Sequence, residues 1–171
     1  MLGRVVEEFL DNKKGKFLMP ADQVAVVFDD NSLSHALLVL TQTRYSKIPV
    51  INHAGEFKGL VSLADVVAAS FKTTEMDPEI LKSKKVGEIV INDSIVLSSD
   101  WRLDSVCHAL IDHAFVPIVD DNQKFIGIIT RKEVMKAINH LLHALEKKYV
   151  VQPKTMDEET IKIKLKEDKS K

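Results

Sequence analysis

The chain has 171 residues, with 24 basic and 25 acidic side chains and a formal net charge of −1. This balance gives no overall attraction to nucleic acid or to an anionic membrane surface, so any anion site must be local. The single cysteine, Cys107, excludes an internal disulfide framework and a cysteine-rich zinc site. The hydrophobic share of 45% and the charged share of 29% are typical of a soluble globular protein.

The N-terminal stretch, residues 1–16, is expected to begin with a short helix. Its apolar residues fall on one side of that helix: Val5, Val6, Phe9 and Leu10. Glu7, Glu8 and Asp11 interrupt the stretch where a secretory signal peptide would be apolar. No stretch of the chain reaches the roughly 18 uninterrupted apolar residues of a membrane span. We therefore expect a cytoplasmic protein that does not enter a membrane.

An internal repeat is the most informative feature of the sequence. The segment "KIPVINHAGEFKGLVSLADVV" at residues 47–67 aligns without a gap with "FVPIVDDNQKFIGIITRKEVM" at residues 115–135. The offset is 68 throughout, so that Pro49 matches Pro117. Upstream, "SLSHALLVL" aligns with "RLDSVCHAL" at an offset of 70, which makes the second copy two residues shorter in between.

Each copy predicts the same order of elements: a strand, an amphipathic helix, two strands joined by a turn, and a second helix. In the first copy they are residues 24–28, 33–43, 48–51, 57–61 and 63–71. In the second copy they are residues 95–97, 103–112, 116–119, 125–129 and 131–145. A β-α-β-β-α unit of about 55 residues would be marginal alone, so two copies are expected to bury one core through their sheets. The predicted fold class is α/β (α+β).

The chain accordingly divides into five predicted segments. They are an N-terminal helical segment (1–16), the first repeat (17–72), a polar linker (73–85), the second repeat (86–146) and a charged tail (147–171). The tail contains "TIKIKLK", which alternates apolar and basic residues. That pattern leaves open an edge strand or a disordered tail.

The start of the last predicted helix, "TRKE", combines a capping pattern with two cations. Thr130 and Glu133 have the spacing of a capping box, which by itself needs no ligand. Arg131 and Lys132 fall in the first helical turn, where the helix dipole makes cations mildly unfavourable. A cap does not require these two cations, so their presence indicates an anion bound at this helix start.

These segments resemble the cystathionine-β-synthase (CBS) domain family. The family signature is an apolar residue, Pro, two apolar residues, a turn, then Gly, two apolar residues, Ser or Thr, any two residues and Asp. It appears here as "IPVINHAGEFKGLVSLAD" and "VPIVDDNQKFIGIITRKE". The resemblance covers about residues 17–140. It implies two tandem CBS repeats packed into one pseudo-two-fold Bateman module.

A narrower resemblance is carried by "PADQVAVVFDDNSLSHALLVLTQTRYSKIPVI" and "IGIITRKEVMKAINHLLHAL". These segments are similar to the stand-alone CBS-pair proteins of Gram-positive bacteria that bind cyclic di-AMP. That similarity implies a homodimer without catalytic activity or cofactor. It also implies docking onto a regulated cytoplasmic enzyme such as the (p)ppGpp synthetase/hydrolase. Since the two copies account for every recognisable segment, we expect no enzyme activity. The near-zero net charge and the absence of a basic stripe argue against a nucleic acid polymer as partner.

The resemblance further implies two clefts between the copies. The main cleft is expected to be formed by Val24, Ala25, Val26, Tyr45, Ser46, Lys47, Ile48, Pro49, Thr130, Arg131, Lys132 and Glu133. The second cleft is expected to be formed by Ser62, Asp65, Phe115, Val116 and Pro117. Since the matching segments of the second cleft contain no cation, we place the phosphates of a dinucleotide in the main cleft. Tyr45 is a candidate for stacking on a base, or else a half-buried core aromatic.

Two alternatives stay open at this point. CBS proteins that bind adenosine nucleotides usually carry Asp where Glu133 stands, and that Asp holds the ribose hydroxyls. Asp65 keeps the usual residue, so the second cleft is a candidate for AMP, ADP or ATP and the protein for an adenylate sensor. A ligand-free docking scaffold is the other alternative. His140 and His143 share a helix face but lack a third ligand, so no metal site is expected.

Overall fold

A computed structural model gives the fold of residues 14–72, 75–90, 94–152 and 162–165. The helix predicted near the N-terminus, within residues 1–13, lies outside the described residues.

The first repeat forms a three-stranded sheet covered by two helices. The first elements of the chain are β1 (Leu18–Pro20), β2 (Val27–Phe28), α1 (Leu33–Thr43), β3 (Lys47–Ile51), β4 (Phe57–Ser62) and α2 (Leu63–Ser70). β2 pairs with β3 in parallel, and β3 pairs with β4 antiparallel. The helical spacing of apolar residues turns one side of α1 toward the sheet, where Leu33, Ala36 and Leu40 are buried.

The second repeat has the same topology. The remaining elements are β5 (Phe71–Lys72), β6 (Glu75–Met76), α3 (Pro78–Ser83), β7 (Leu97–Ser98), α4 (Leu103–Asp112), β8 (Phe115–Val119), β9 (Phe125–Thr130), α5 (Arg131–Lys148), β10 (Tyr149–Gln152) and β11 (Lys162–Leu165). β7 pairs with β8 in parallel, and β8 pairs with β9 antiparallel. The predicted order of elements is confirmed in both repeats. The first strand of each is shorter than predicted, since β2 and β7 contain two residues each.

Each repeat buries the first residue of the other repeat. β1 does not join the sheet of the first repeat but pairs antiparallel with β9, so the second sheet has the order β1-β9-β8-β7. Phe17, next to β1, is 3% exposed and packs in the core of the second repeat. Conversely, Val86 is fully buried in the core of the first repeat, and its amide donates to the carbonyl of Asn31 at 2.9 Å. This exchange ties the two repeats together.

The two sheets also meet directly at their matching residues. The rings of Phe57 and Phe125, which are related by the repeat offset, stack with centroids 6.1 Å apart. The amide of Phe57 donates to Gln123, and the amide of Phe125 donates to Gly55, each at 2.9 Å. The paired contacts are what a pseudo-two-fold relation between the repeats requires.

The segment predicted as a polar linker contains α3, which packs against both α1 and α2. Leu81 of α3 is half-buried against the core of the first repeat. The carbonyl of Lys84 accepts from the amide of Leu33 at 3.1 Å, which fixes the end of α3 beside the start of α1. The linker is therefore part of the helical layer of the first repeat.

The C-terminal tail contains two strands, β10 and β11, and β11 lies in the segment for which a strand was one of two predicted alternatives. β10 and β11 pair antiparallel, with Tyr149 opposite Leu165. Among the described residues, no helix is long and apolar enough to cross a membrane.

Candidate ligand-binding clefts

A cavity of about 170 Å³ lies between the two repeats at the position of the predicted main cleft. Both repeats and β1 contribute to its lining. The residues that line it are Met19, Val24, Tyr45, Ser46, Lys47, Pro49, Ala114, Phe115, Ile128 and Thr130. Most of these side chains are apolar, so the cavity is a slot with few polar groups, as small-molecule sites usually are.

The turn after α1 brings Tyr45 and Ser46 to this cavity. Arg44 adopts a left-handed conformation with φ of 58°, and its amide donates to the carbonyl of Leu40 at 3.0 Å. This αL residue ends the helix and redirects the chain. Tyr45, 48% exposed, and Lys47, also exposed, therefore stand at the edge of the apolar slot.

Thr130 reaches the cavity from the junction of β9 and α5. Its hydroxyl oxygen accepts from the amide of Glu133 at 3.3 Å, as the capping pattern predicts. The carboxylate of Glu133 pairs with Lys136 at 2.7 Å. Thr130 is thus both the cap of α5 and part of the cleft lining.

The structure places the guanidinium of Arg131 outside this cavity, at the C-terminal end of α4. Its Nε donates to the carbonyl of Leu110 at 2.8 Å, and its Nη2 donates to those of Ile111 at 3.2 Å and His113 at 2.9 Å. These carbonyls end a helix and have no partner within it, so the cation satisfies them and complements the helix dipole. The arrangement explains a cation at this position without any ligand.

Six of the twelve residues predicted for the main cleft line the cavity: Val24, Tyr45, Ser46, Lys47, Pro49 and Thr130. The other six are described but do not line it: Ala25, Val26, Ile48, Arg131, Lys132 and Glu133. Ile48 is fully buried in the core of the first repeat. Lys132 is exposed in the first turn of α5.

Four lining residues were not among those predicted for the main cleft: Met19, Ala114, Phe115 and Ile128. Met19 belongs to β1, whose pairing with β9 the sequence pattern did not reveal. Ala114 precedes β8, and Ile128 is the residue of β9 that pairs with both Met19 and Pro117. Ile128 matches Leu60 by the repeat offset, and Leu60 lines the second cavity, so the two repeats contribute equivalent residues to the two cavities.

The second predicted cleft corresponds to a smaller cavity of about 50 Å³. It is lined by Lys47, Leu60, Asp65, Ser94, Ile95, His113, Phe115 and Pro117. Val116 is fully buried in the core of the second repeat and does not line it. The matching segments of this cleft contain no cation, but Lys47 of the main-cleft segment lines both cavities. Lys47 is the first residue of β3, and β3 starts between the two cavities.

The carboxylate of Asp65 is held by a complete capping box at the start of α2. Its Oδ2 accepts from the amide of Ser62 at 2.8 Å and from the hydroxyl at 2.6 Å. Ser62 itself is 8% exposed and lies behind Asp65 rather than on the cavity wall. Asp65 is therefore already engaged in the structure of the helix start.

Cys107, the single cysteine of the chain, is half-buried on α4. Burial raises the pKa of the half-buried Cys107 thiol, and the nearby Asp104 acts in the same direction, so the thiol stays protonated at neutral pH. Within the described part of the chain, no group of three or more His, Cys, Asp or Glu side chains could hold a metal ion.

Comparison with known proteins gives the same two repeats. The model of the CBS domain family matches residues 17–72 and 86–140. The chain is 32% identical over 147 residues to the cyclic di-AMP receptor B of Bacillus subtilis, with 86% of this chain and 100% of that protein covered.

Solved structures resemble the fold as well. CbpB from Streptococcus agalactiae superposes with a TM-score of 0.80 at 31% identity, covering 90% of this chain and 96% of that one. The Listeria monocytogenes CbpB protein in complex with c-di-AMP superposes with a TM-score of 0.71 at 35% identity, covering 78% and 99%. The chain therefore belongs to the CBS-domain family, as a protein with two tandem CBS domains.

Proposed function

We propose that this protein is a non-catalytic receptor that binds cyclic di-AMP in the main cleft. The observation that carries the proposal is the apolar cavity between the repeats, with Tyr45 and Lys47 exposed at its edge. The relatives support the choice of ligand, because one is named as a cyclic di-AMP receptor and another is a complex with c-di-AMP.

The size of the cavity indicates which part of the dinucleotide lies inside it and which part lies at its opening. A volume of 170 Å³ is below the roughly 300–1,000 Å³ of pockets that enclose a whole drug-sized molecule. One adenine enters the slot, between walls that include Val24 and Ile128. The phosphates and the second base stay at the opening, where the ring of Tyr45 is available for stacking.

The two phosphates require cations close to the opening of the cleft. Lys47 lines the cavity, and Lys132 is exposed next to Thr130. We assign neutralisation of the phosphates to these two lysines. A direct contact from Arg131 would require its side chain to release the three carbonyls at the end of α4.

Isothermal titration tests this proposal, with cyclic di-AMP against AMP, ATP and cyclic di-GMP. We expect binding of cyclic di-AMP at about micromolar Kd or tighter, near −8 kcal/mol, and weaker binding of the others. Ala114→Trp fills the cavity and should abolish binding. Ala54→Trp, an equally large change on an exposed turn of the first repeat, should leave it intact. Equal affinity in the Ala114→Trp variant would contradict the site.

The second cavity supports an alternative ligand class. Asp65, Lys47 and His113 line it, which gives a carboxylate for ribose hydroxyls beside two nitrogen groups for phosphate. An adenylate sensor would bind AMP or ATP there, and binding would survive Ala114→Trp. It would be lost in Ile95→Trp, which fills this cavity instead.

Regulation of a partner follows from ligand binding only if the partner distinguishes the two states. We propose that the protein acts as a homodimer and that its occupancy changes its affinity for a cytoplasmic enzyme, such as the (p)ppGpp synthetase/hydrolase. Light scattering gives the oligomeric state. A binding assay with the purified enzyme, with and without cyclic di-AMP, should show a different affinity in the two conditions. Equal affinity would exclude this form of regulation.

A further inference from the structure

Two residues, Lys47 and Phe115, line both cavities between the repeats. They match each other at the repeat offset of 68, and they are the first residues of β3 and β8. Lys47 pairs with Ser62 and Phe115 pairs with Thr130, so each lies opposite the residue that starts the second helix of its repeat. Every other described residue that lines a cavity lines only one of them. Lys47 and Phe115 therefore form the wall that the two cavities share.

The two residues of this wall differ in how firmly the protein holds them. Phe115 is half-buried and packs against the cluster of Val24, Phe125 and Ile128. Lys47 is exposed, and no described residue forms a hydrogen bond or an ion pair with its ammonium group. A lysine ammonium on its flexible four-carbon stem takes its position from the anions around it. The ammonium of Lys47 is thus available to either cavity, but to only one of them at a time.

Both cavities depend on this ammonium for positive charge. Among the described residues, Lys47 is the only Lys or Arg that lines either of them. Lys132, the second cation assigned to the phosphates of the main ligand, is exposed next to Thr130 at the opening of the main cleft. The main cleft therefore keeps part of its charge when Lys47 turns away, whereas the second cavity does not.

The second cavity has the size and the polar groups of a site for one phosphate group. Its volume of about 50 Å³ is far below the roughly 300–1,000 Å³ of pockets that enclose a drug-sized molecule. It lies at the first turn of α2, where the helix dipole favours negative charge, and His113 lines it. The carboxylate of Asp65 also lines it and repels an anion. An anion in this cavity accordingly needs the ammonium of Lys47 to neutralise it.

We propose that the second cavity is a regulatory site for a phosphate group, and that its occupant competes with the ligand of the main cleft for Lys47. The inference rests on the proposed function, since it takes cyclic di-AMP as the ligand of the main cleft. An anion in the second cavity draws the ammonium across the shared wall and leaves the phosphates of cyclic di-AMP with Lys132 alone. Such coupling is reciprocal, so cyclic di-AMP weakens the binding of the second anion by the same factor.

Titration calorimetry with cyclic di-AMP, in the presence and absence of saturating AMP or inorganic phosphate, measures the coupling. We expect AMP to raise the Kd of cyclic di-AMP by about fivefold or more, up to a limit reached when the second cavity is full. The same effect from inorganic phosphate would show that the phosphate group alone is recognised, and an effect of AMP alone would assign the site to the nucleotide.

Ile95→Trp separates this coupling from direct competition, because Ile95 lines only the second cavity. With that cavity filled, AMP should no longer change the Kd of cyclic di-AMP. An effect of AMP that persists in Ile95→Trp, and that grows without limit as AMP is added, would mean that AMP occupies the main cleft itself. That result would overturn the proposal.

A second pair of variants tests the role of Lys47 without a second ligand. Ile95 is 47% exposed, so Ile95→Glu places a carboxylate in the second cavity without disturbing the core. We expect Ile95→Glu to bind cyclic di-AMP about fivefold more weakly than Ile95→Gln, which has nearly the same shape and no charge. In a Lys47→Met background the two variants should have equal affinities. A difference that remains there would exclude Lys47 as the shared group.

Failure of the inference and failure of the proposed function give different results. If the unmodified chain does not bind cyclic di-AMP, the proposed function is wrong and the inference falls with it. If cyclic di-AMP binds but neither AMP nor inorganic phosphate changes its Kd, only the inference is overturned. Equal affinities of Ile95→Glu and Ile95→Gln would overturn it as well.

Discussion

The side chain of Arg131 donates from Nε to the carbonyl oxygen of Leu110 at 2.8 Å, so the start of α5 caps the end of α4. In the first repeat, the end of the matching helix α1 is capped in a different way. There α1 ends on Arg44 in the left-handed conformation, and Leu63 occupies the position that matches Arg131. The second copy is two residues shorter at this turn. In the first copy the backbone amide of Arg44 donates to the carbonyl of Leu40. In the second copy the side chain of Arg131 donates to the carbonyl of Leu110, the matching residue.

Arg131→Leu, which introduces the residue of the first repeat, should destabilise the protein. The change leaves the carbonyls of Leu110, Ile111 and His113 without their donors, and hydrogen bonds to charged groups contribute about 1.5–3 kcal/mol. Urea unfolding should show a loss of this order. Lys132→Leu is the control, because Lys132 is exposed, and should change the free energy of unfolding by less than about 0.5 kcal/mol.

Tyr45→Ala should weaken the binding of cyclic di-AMP without lowering stability. Tyr45 is 48% exposed beside the cavity, so its ring contributes little to the core but is free to stack on a base. Stacking of about 0.5–1.5 kcal/mol corresponds to a loss of affinity of roughly two- to tenfold. Titration calorimetry measures it. Tyr45→Phe keeps the ring and should retain the affinity; a loss as large as that of Tyr45→Ala would assign the effect to the hydroxyl.

Gly127→Ala should disrupt the contact between β1 and β9. Gly127 has φ of +151°, and a Cβ atom there would lie 2.1 Å from the carbonyl oxygen of Met19. We expect a loss of about 1–3 kcal/mol in thermal or urea unfolding from the backbone strain alone, together with weaker ligand binding. Gly15→Ala is the comparison, because a Cβ atom at Gly15 meets nothing within 4 Å. Equal effects of the two changes would contradict the close approach of β1.

His53 should titrate above its ordinary pKa of about 6.5. Its Nε2 lies 2.9 Å from Oδ2 of Asp30, and this hydrogen bond raises the pKa of His53 and lowers the pKa of Asp30. The contribution of His53 to stability is complete below about pH 6.5 and is lost as pH rises through the raised pKa. The contribution of Asp30 is present above about pH 4 and is lost as pH falls through the lowered pKa.

Nuclear magnetic resonance titration of the His53 ring measures this shift. Asp30→Asn should return the midpoint toward the ordinary value, while Asp121→Asn, in an exposed turn of the other repeat, should leave it raised. A midpoint that does not move in Asp30→Asn would exclude the pair.

The elements of each repeat were predictable because their signals are local. The helical spacing of apolar residues predicted Leu33–Thr43 and Leu103–Asp112 with the bounds that the structure has. The pairing of β1 with β9 was not predictable in this way. It joins Leu18 to Ile129, more than a hundred residues apart, and three residues are too few for a periodicity. Nor did the polarity of the linker reveal that α3 packs on the first repeat.

The residues of the candidate site also differ in whether a local sequence signal pointed to them. Residues such as Tyr45, Lys47 and Thr130 were predicted because the resemblance to CBS domains implies a cleft formed by their segments. Met19 was missed because its strand was missed. The direction of the Arg131 side chain could not be inferred from its position, since a cation at a helix start is equally close to a ligand and to the carbonyls of a neighbouring helix.

The exchange of Phe17 and Val86 between the repeats has a bearing on how such a chain could arise. A protein made of one repeat would carry its leading residue outside its own core, and could bury it only in another copy. Such a protein would be an intertwined pair of molecules, each completing the other, as in domain swapping. The present chain has the same arrangement within one molecule, with the two copies joined by residues 73–85. A cut within the linker should accordingly leave two fragments that remain associated, while either fragment made alone should fail to fold.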